Sequence, residues 1–112
     1  MSGGAYLKST TLYNETAVTA GFNTDEVPLD QCNGYSISFV TTNTVNLNLE
    51  VELQASVGAS GHYADIPGSG VTITNDEVII LNVADAYYKR FRAVTRVLNG
   101  QCDLLIEVTR KH

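Results

Sequence analysis

The sequence predicts an all-β fold, an antiparallel two-sheet β-sandwich of jelly-roll type with about eight strands. Three observations lead there. Apolar and polar residues alternate with a period of two from Tyr35 to Thr42 and again from Leu47 to Ala55, the pattern of strands buried on one face. Turn-forming residues recur at short intervals, at Asn33-Gly34, Pro67-Gly68-Ser69-Gly70 and Asn99-Gly100, as they do between short antiparallel strands. No segment carries a sustained helical period.

Taken in order, residues 1–30 read as an N-terminal arm with one or two early strands, and residues 31–112 as the sandwich body of a single domain. The first segment is rich in Ser, Thr, Gly and Asn, with scattered apolar positions at Leu7, Leu12, Tyr13, Val18 and Phe22. Val27-Pro28-Leu29 leads into the body, where a proline suits a strand edge or entry. Tyr35, Ile37, Phe39 and Thr41 then share one face of a strand, and Leu47, Leu49, Val51, Leu53 and Ala55 one face of the next. The two are joined through Thr42-Asn43-Thr44, and Val40 alone breaks the alternation.

His62 to Ile66 reads as a short strand, followed by the Pro67 to Gly70 turn, whose residues supply fixed and positive φ. Val71 to Thr74 and Val78 to Val83 are further strands. The latter is apolar on both faces, so it is expected to be covered on both sides, within the sandwich or at a subunit contact. Asn82 to Tyr88 reads as a helical turn or corner.

The final quarter reads as a hairpin. Asn99-Gly100 suits a two-residue type I′ turn, in which both central residues take φ > 0. Closing it pairs Leu98 with Gln101, Val97 with Cys102, Thr95 with Leu104, Ala93 with Ile106 and Phe91 with Val108. On the other face Arg96 meets Asp103 and Arg92 meets Glu107, so alternation and charge agree on one register. Ile37, Phe39, Leu49, Val51, Leu53, Phe91, Ile106 and Val108 are the expected core.

Composition narrows the function classes. The 112 residues are 44% hydrophobic and 17% charged, with a net charge of −5, which gives no general basic field for a nucleic acid. The first residues, Met1 to Lys8, lack the apolar core of a signal peptide, and no stretch reaches the length of a membrane span. A cytosol-like site of synthesis is expected. Cys32 and Cys102 then read as small buried residues in preference to a disulfide, and no Cys/His spacing suggests zinc.

Candidate sites are few. Asp76-Glu77 and Asp25-Glu26 are adjacent acidic pairs, but neighbouring residues on a strand face opposite ways and no calcium loop surrounds them. His62 and His112 are the only histidines, and neither accompanies a nucleophile motif. Lys89, Arg90, Arg92 and Arg96 form the one basic cluster, which reads as structural charge pairing. With six tyrosines and no tryptophan, Tyr63 and Tyr87 are the best candidates for stacking on a ligand ring. Val94 and Leu105 face each other on the outer side of the hairpin, ringed by charge, and with Val78 and Ile80 they are the candidate subunit interface. No catalytic residue, cofactor or metal site is expected.

Leu53-Gln54-Ala55-Ser56, then Tyr63-Ala64-Asp65-Ile66-Pro67-Gly68-Ser69, then Asn82-Val83-Ala84-Asp85-Ala86-Tyr87-Tyr88-Lys89-Arg90-Phe91-Arg92, and finally a Gly-containing turn follow one another in an order that resembles small β-sandwich virion proteins of tailed bacteriophages. The resemblance covers roughly two-thirds of the chain. It is similar, more distantly, to discoidin-like jelly rolls that bind sugars or lipids. Where such sequences often carry Asn-Asp-Gly and a tryptophan, this chain has Val57-Gly58-Ala59-Ser60-Gly61 and Tyr63, so no sugar site is carried over.

The resemblance implies a virion structural protein, a capsid decoration or cement protein. It would be made in the host cytoplasm, assemble as a homo-oligomer such as a trimer, and contact the major capsid protein or another virion protein, with no nucleic acid, membrane or enzymatic step involved. A carbohydrate-binding module, or a head fibre, neck or tail component, is the alternative.

Overall fold

Two strands of unusual length carry the architecture. The computed structural model describes residues 7–29, 34–58, 62–84 and 88–111. In chain order the strands are β1 (Leu7–Val18), β2 (Val27–Pro28), β3 (Gly34–Ser56), β4 (Ala64–Asp65), β5 (Val71–Ile73), β6 (Glu77–Ala84) and β7 (Arg90–Lys111). All pairings are antiparallel. The fold is all-β, as the alternation predicts, with seven strands among the described residues.

β3 and β7 pair along almost their whole lengths, from Gly34 opposite Lys111 to Ser56 opposite Arg90. A flat strand of 23 residues would extend about 75 Å, yet the longest dimension of the molecule is 46 Å. The ribbon must therefore bend. It does so where the β3–β7 register shifts, between Thr42 and Val45 and between Val45 and Asn48. Asn43 and Asn46 take φ of 51° and 48° there, and Gly100, across the ribbon, takes 82°. Such bulges raise local twist and turn a strand out of its plane.

The bend divides the sheet into two halves. In the first, β1, the C-terminal half of β7, the N-terminal half of β3 and β6 lie side by side. In the second, β2 flanks the N-terminal half of β7, while β4 and β5 flank the C-terminal half of β3. The inner faces meet: the Tyr35 ring in the first half stacks on Phe91 in the second at 4.3 Å between centroids. Phe22, which runs beside Thr95 of β7 through a backbone hydrogen bond, stacks on Tyr13 of β1 at 4.3 Å and makes a second seam.

All eight predicted core residues are 0–1% exposed and belong to one cluster, which also holds Ile73, Ala93, Cys102 and Leu104. Two buried hydroxyls tie loops to this frame. Thr41 Oγ1 donates to the Asn75 carbonyl at 2.7 Å and accepts from the Glu77 amide at 3.1 Å. Ser69 Oγ donates to the Ile66 carbonyl at 2.7 Å and accepts from the Leu53 amide at 3.1 Å, which seats the Pro67–Gly70 turn.

Several expectations are corrected. Asn99-Gly100 does not reverse the chain; β7 runs straight through it, with Asn99 opposite Asn48 and Gln101 opposite Val45. The two inner-face runs, 91, 93, 95 and 102, 104, 106, 108, differ in parity, and a two-residue hairpin would explain that. A bulge explains it equally: the register shifts between Glu50 and Val51, opposite Thr95 and Val97, and changes the face there. Thr42-Asn43-Thr44 likewise bends one strand instead of joining two. Asn82 to Ala84 continue β6 and form no corner; residues 85–87 lie outside the described set, as do Cys32 and the first six residues. The early strands expected in residues 1–30 are present as β1 and β2, and with the stretch around Asn23, which bridges Val94, they run along β7.

Candidate functional site

The two halves present outer faces of opposite character. On the second half, polar side chains reach across strands in a connected network. Arg96 pairs with Glu52 at 3.4 Å and with Asp65. Arg92 donates through Nε and one terminal nitrogen to Gln54 Oε1, at 3.0 and 2.9 Å, and its guanidinium lies 4.2 Å from the centre of the Tyr63 ring. Arg90 pairs with Glu26 at 3.0 Å. The three arginines of the basic cluster are thus held by partners on β3, β4 and the segment before β2. The predicted hairpin partners, Asp103 and Glu107, lie elsewhere.

Asp103 instead accepts from the Asn43 side chain at 2.7 Å and from the Ala17 amide at 2.9 Å, beside the bend. Those two bonds hold its carboxyl below the usual range. A hydrogen bond from Gln54, followed by smaller contributions that include Arg96, does the same for Asp65. The Thr44 amide does so for Asp76, which it meets at 3.1 Å. Each carboxylate is therefore used to pin a turn or a strand crossing. Among the described residues no group of three or more His, Cys, Asp or Glu side chains stands close enough to hold a metal ion.

Of the two candidate stacking residues, Tyr63 has Arg92 against one ring face, and its hydroxyl is pushed up by burial and then by the neighbouring Glu26 carboxylate. Tyr87 lies outside the described residues. His62 is exposed, and His112 is outside the described set. Cys102 is a free thiol, fully buried, and burial raises its pKa.

The outer face of the first half carries less charge, with Glu107 and, near the bend, Asp103 in its outward phase. Register places Val78, Val40 and Leu105 in one cross-strand row, and Ile80, Ser38 and Glu107 in the next. Ser36, hydrogen-bonded to Asn82, and Thr109, bonded to Ser9 at 3.1 Å, continue the face. Val78 is 62% and Ile80 60% exposed, while Val40 and Leu105 are half-buried. A shallow depression of about 210 Å³ lies between Ser9, Ser36, Ser38, Ile80, Glu107 and Thr109.

Three of the four candidate interface residues, Val78, Ile80 and Leu105, therefore share one surface. Val94 does not. It is 4% exposed, on the second half, between Asn23 and Glu52 and flanked on its own face by Arg92 and Arg96. Its pairing with Leu105 depended on the hairpin, and it leaves the candidate surface with that hairpin. Val40 joins the surface in its place. Its break in the alternation was the signal: an apolar residue in the outward phase of a half-buried strand.

The sequence matches no family model and no curated protein. The fold, however, is similar to solved structures over nearly full length. One is the SPBc2 prophage-derived protein YomS, with a TM-score of 0.68 at 11% identity over 96% of this chain and 95% of that one. Another is the coat protein of Tobacco streak virus, with a TM-score of 0.52 at 8% identity over 100% of this chain and 89% of that one. At such identities the likeness establishes a shared fold.

Proposed function

We propose that this chain is a virion structural protein, specifically a decoration or cement protein that stabilises an assembled phage shell. The observation that carries the reading is the fold shared end to end with a prophage-derived protein, and at lower similarity with a viral coat protein. The resemblance of the segments from Leu53 to Arg92 to virion proteins of tailed phages points the same way. The molecule's own features suit the role. A bent ribbon closed on a single core gives a stiff scaffold, and a sparsely charged face with exposed Val78 and Ile80 gives contact area without requiring a reactive site. Its partner in this reading is the major shell protein or another virion protein, and no catalytic step is assigned to it.

Purified particles test the proposal. The chain should be present in a fixed ratio to the major shell protein, and particles lacking it should open at lower temperature than complete ones. Absence from purified particles would remove the function. Presence at a few copies, labelled at the neck, tail or head fibre, would keep a virion role and remove the decoration role.

A further inference from the structure

We propose that β6 is the seat of a twofold contact between two copies of this chain, made by antiparallel pairing of their Glu77–Ala84 edges. β6 pairs with β3 through eight successive residues without a register shift, from Gly34 opposite Ala84 to Thr41 opposite Glu77. Among the described residues its other edge has no strand partner. A row of unpaired amides and carbonyls on a regular strand is a template for another strand, and proteins ordinarily blunt it with bulges, prolines, lysines or brevity.

The other edges are blunted in those ways. β1 has two register shifts along β7, and β2, β4 and β5 are two or three residues long. The β6 sequence, Glu-Val-Ile-Ile-Leu-Asn-Val-Ala, contains no proline, glycine or lysine. Its outward residues Val78 and Ile80 are more than half exposed, and Val78 continues an apolar row into Val40 and Leu105.

Charge identifies the occupant. The chain carries a net charge of −5, so two copies repel except where the contact avoids charge, and this is the least charged outer face of the fold. Glu107 is the single charge in the two rows that hold Val78 and Ile80. A strand edge is self-complementary when inverted, because its alternating donors and acceptors match those of its own copy across a twofold axis. Directly opposite residues share a face, so even positions meet even positions. Val78 and Ile80 of one copy then pack on those of the other, and the two Glu77 carboxylates fall at opposite ends of the paired strands.

The pairing is independent of whether the chain is found in particles, and its test uses the isolated protein. Light scattering should give two chains per particle. The double variant Val78→Lys/Ile80→Lys should weaken self-association by at least about tenfold, with the far-UV β spectrum unchanged. Dilution of the wild type gives a second readout that needs no variant: the alternate amides of residues 77–84 that face away from β3 should lose exchange protection as the dimer dissociates, while those bonded to β3 keep theirs. A wild-type monomer, a three-chain assembly, a dimer that survives the double substitution, or free-edge β6 amides whose exchange ignores dilution would each overturn the contact.

Discussion

Tyr35 lies flat against Phe91, with 4.3 Å between ring centroids and 11° between ring planes, although the two belong to opposite halves of the bent ribbon. Tyr35 sits in register with Arg110 and Val83, and Phe91 with Ala55 and Val27. The stack is therefore a tertiary contact that no strand pairing imposes. It reports that the halves have closed on each other.

Phe91 is fully buried in that seam. Phe91→Ala should cost about 3–5 kcal/mol, the range for emptying a buried aromatic site, as measured by urea unfolding. A loss below about 1 kcal/mol, the level of a surface change, would mean that the halves are not packed on this ring.

Tyr35→Phe should behave oppositely. The hydroxyl is buried with no hydrogen-bond partner among the described residues, so its removal should be neutral or stabilising at pH 7. Burial, and then Tyr88, push its pKa from 10.0 up to about 12. Because the folded value is the higher one, the unfolded chain ionises first; the contribution is whole below pH 10 and is lost as the pH rises towards 12. Wild type should lose stability over that window more steeply than Tyr35→Phe does.

Gly100 tests the bend. Its φ is 82°, and a Cβ there would collide with the carbonyl oxygens of Val45 and Asn46 across the ribbon. Gly100→Ala should therefore cost at least about 1–3 kcal/mol from backbone strain alone, read from the midpoint of thermal or urea unfolding. A stabilised variant would mean that this crossing is looser than the structure has it.

The partners of Arg96 distinguish the long ribbon from a hairpin. Double-mutant cycles should find coupling between Arg96 and Asp65 or Glu52, and additivity between Arg96 and Asp103. Coupling to Asp103 instead would restore the hairpin.

Asp65, Asp76 and Asp103 all have carboxyl groups held below their ordinary pKa of 3.8. A depressed folded pKa stabilises above the unfolded value and is lost as the pH falls through the folded one. Stability should decline below about pH 4. Asp103→Asn should flatten that acid limb, and an unchanged limb would show that the Asn43 and Ala17 bonds do not persist in solution.

Much of this was legible in the chain. The alternating runs of β3 named its inner face correctly on both sides of the bend, since Ile37, Phe39, Leu49, Val51 and Leu53 are all buried. Val78 to Val83 was readable as a strand apolar on both faces, but among the described residues the coverage expected on both sides is absent in the single chain, where Val78 and Ile80 are exposed. The partner of β7 was not readable. Asn-Gly signals positive φ, and positive φ serves a type I′ turn and a bulge alike. Charge pairing misled for a related reason: Arg96 and Asp103 fit a local register, but Glu52 and Asp65 are equally suitable carboxylates contributed by distant strands.

Period-two alternation by itself determined that the fold is antiparallel β and which side chains enter the core, because facing in or out is a property of each residue's position along its own strand. Which strand lies beside which, that the ribbon bends instead of reversing, and that Val94 is buried while Val40 joins an outer patch were decided by tertiary structure alone. A turn stabilises one local pairing, whereas the match of β3 to β7 along both strands places two complete apolar faces against each other. The larger burial wins over the local signal.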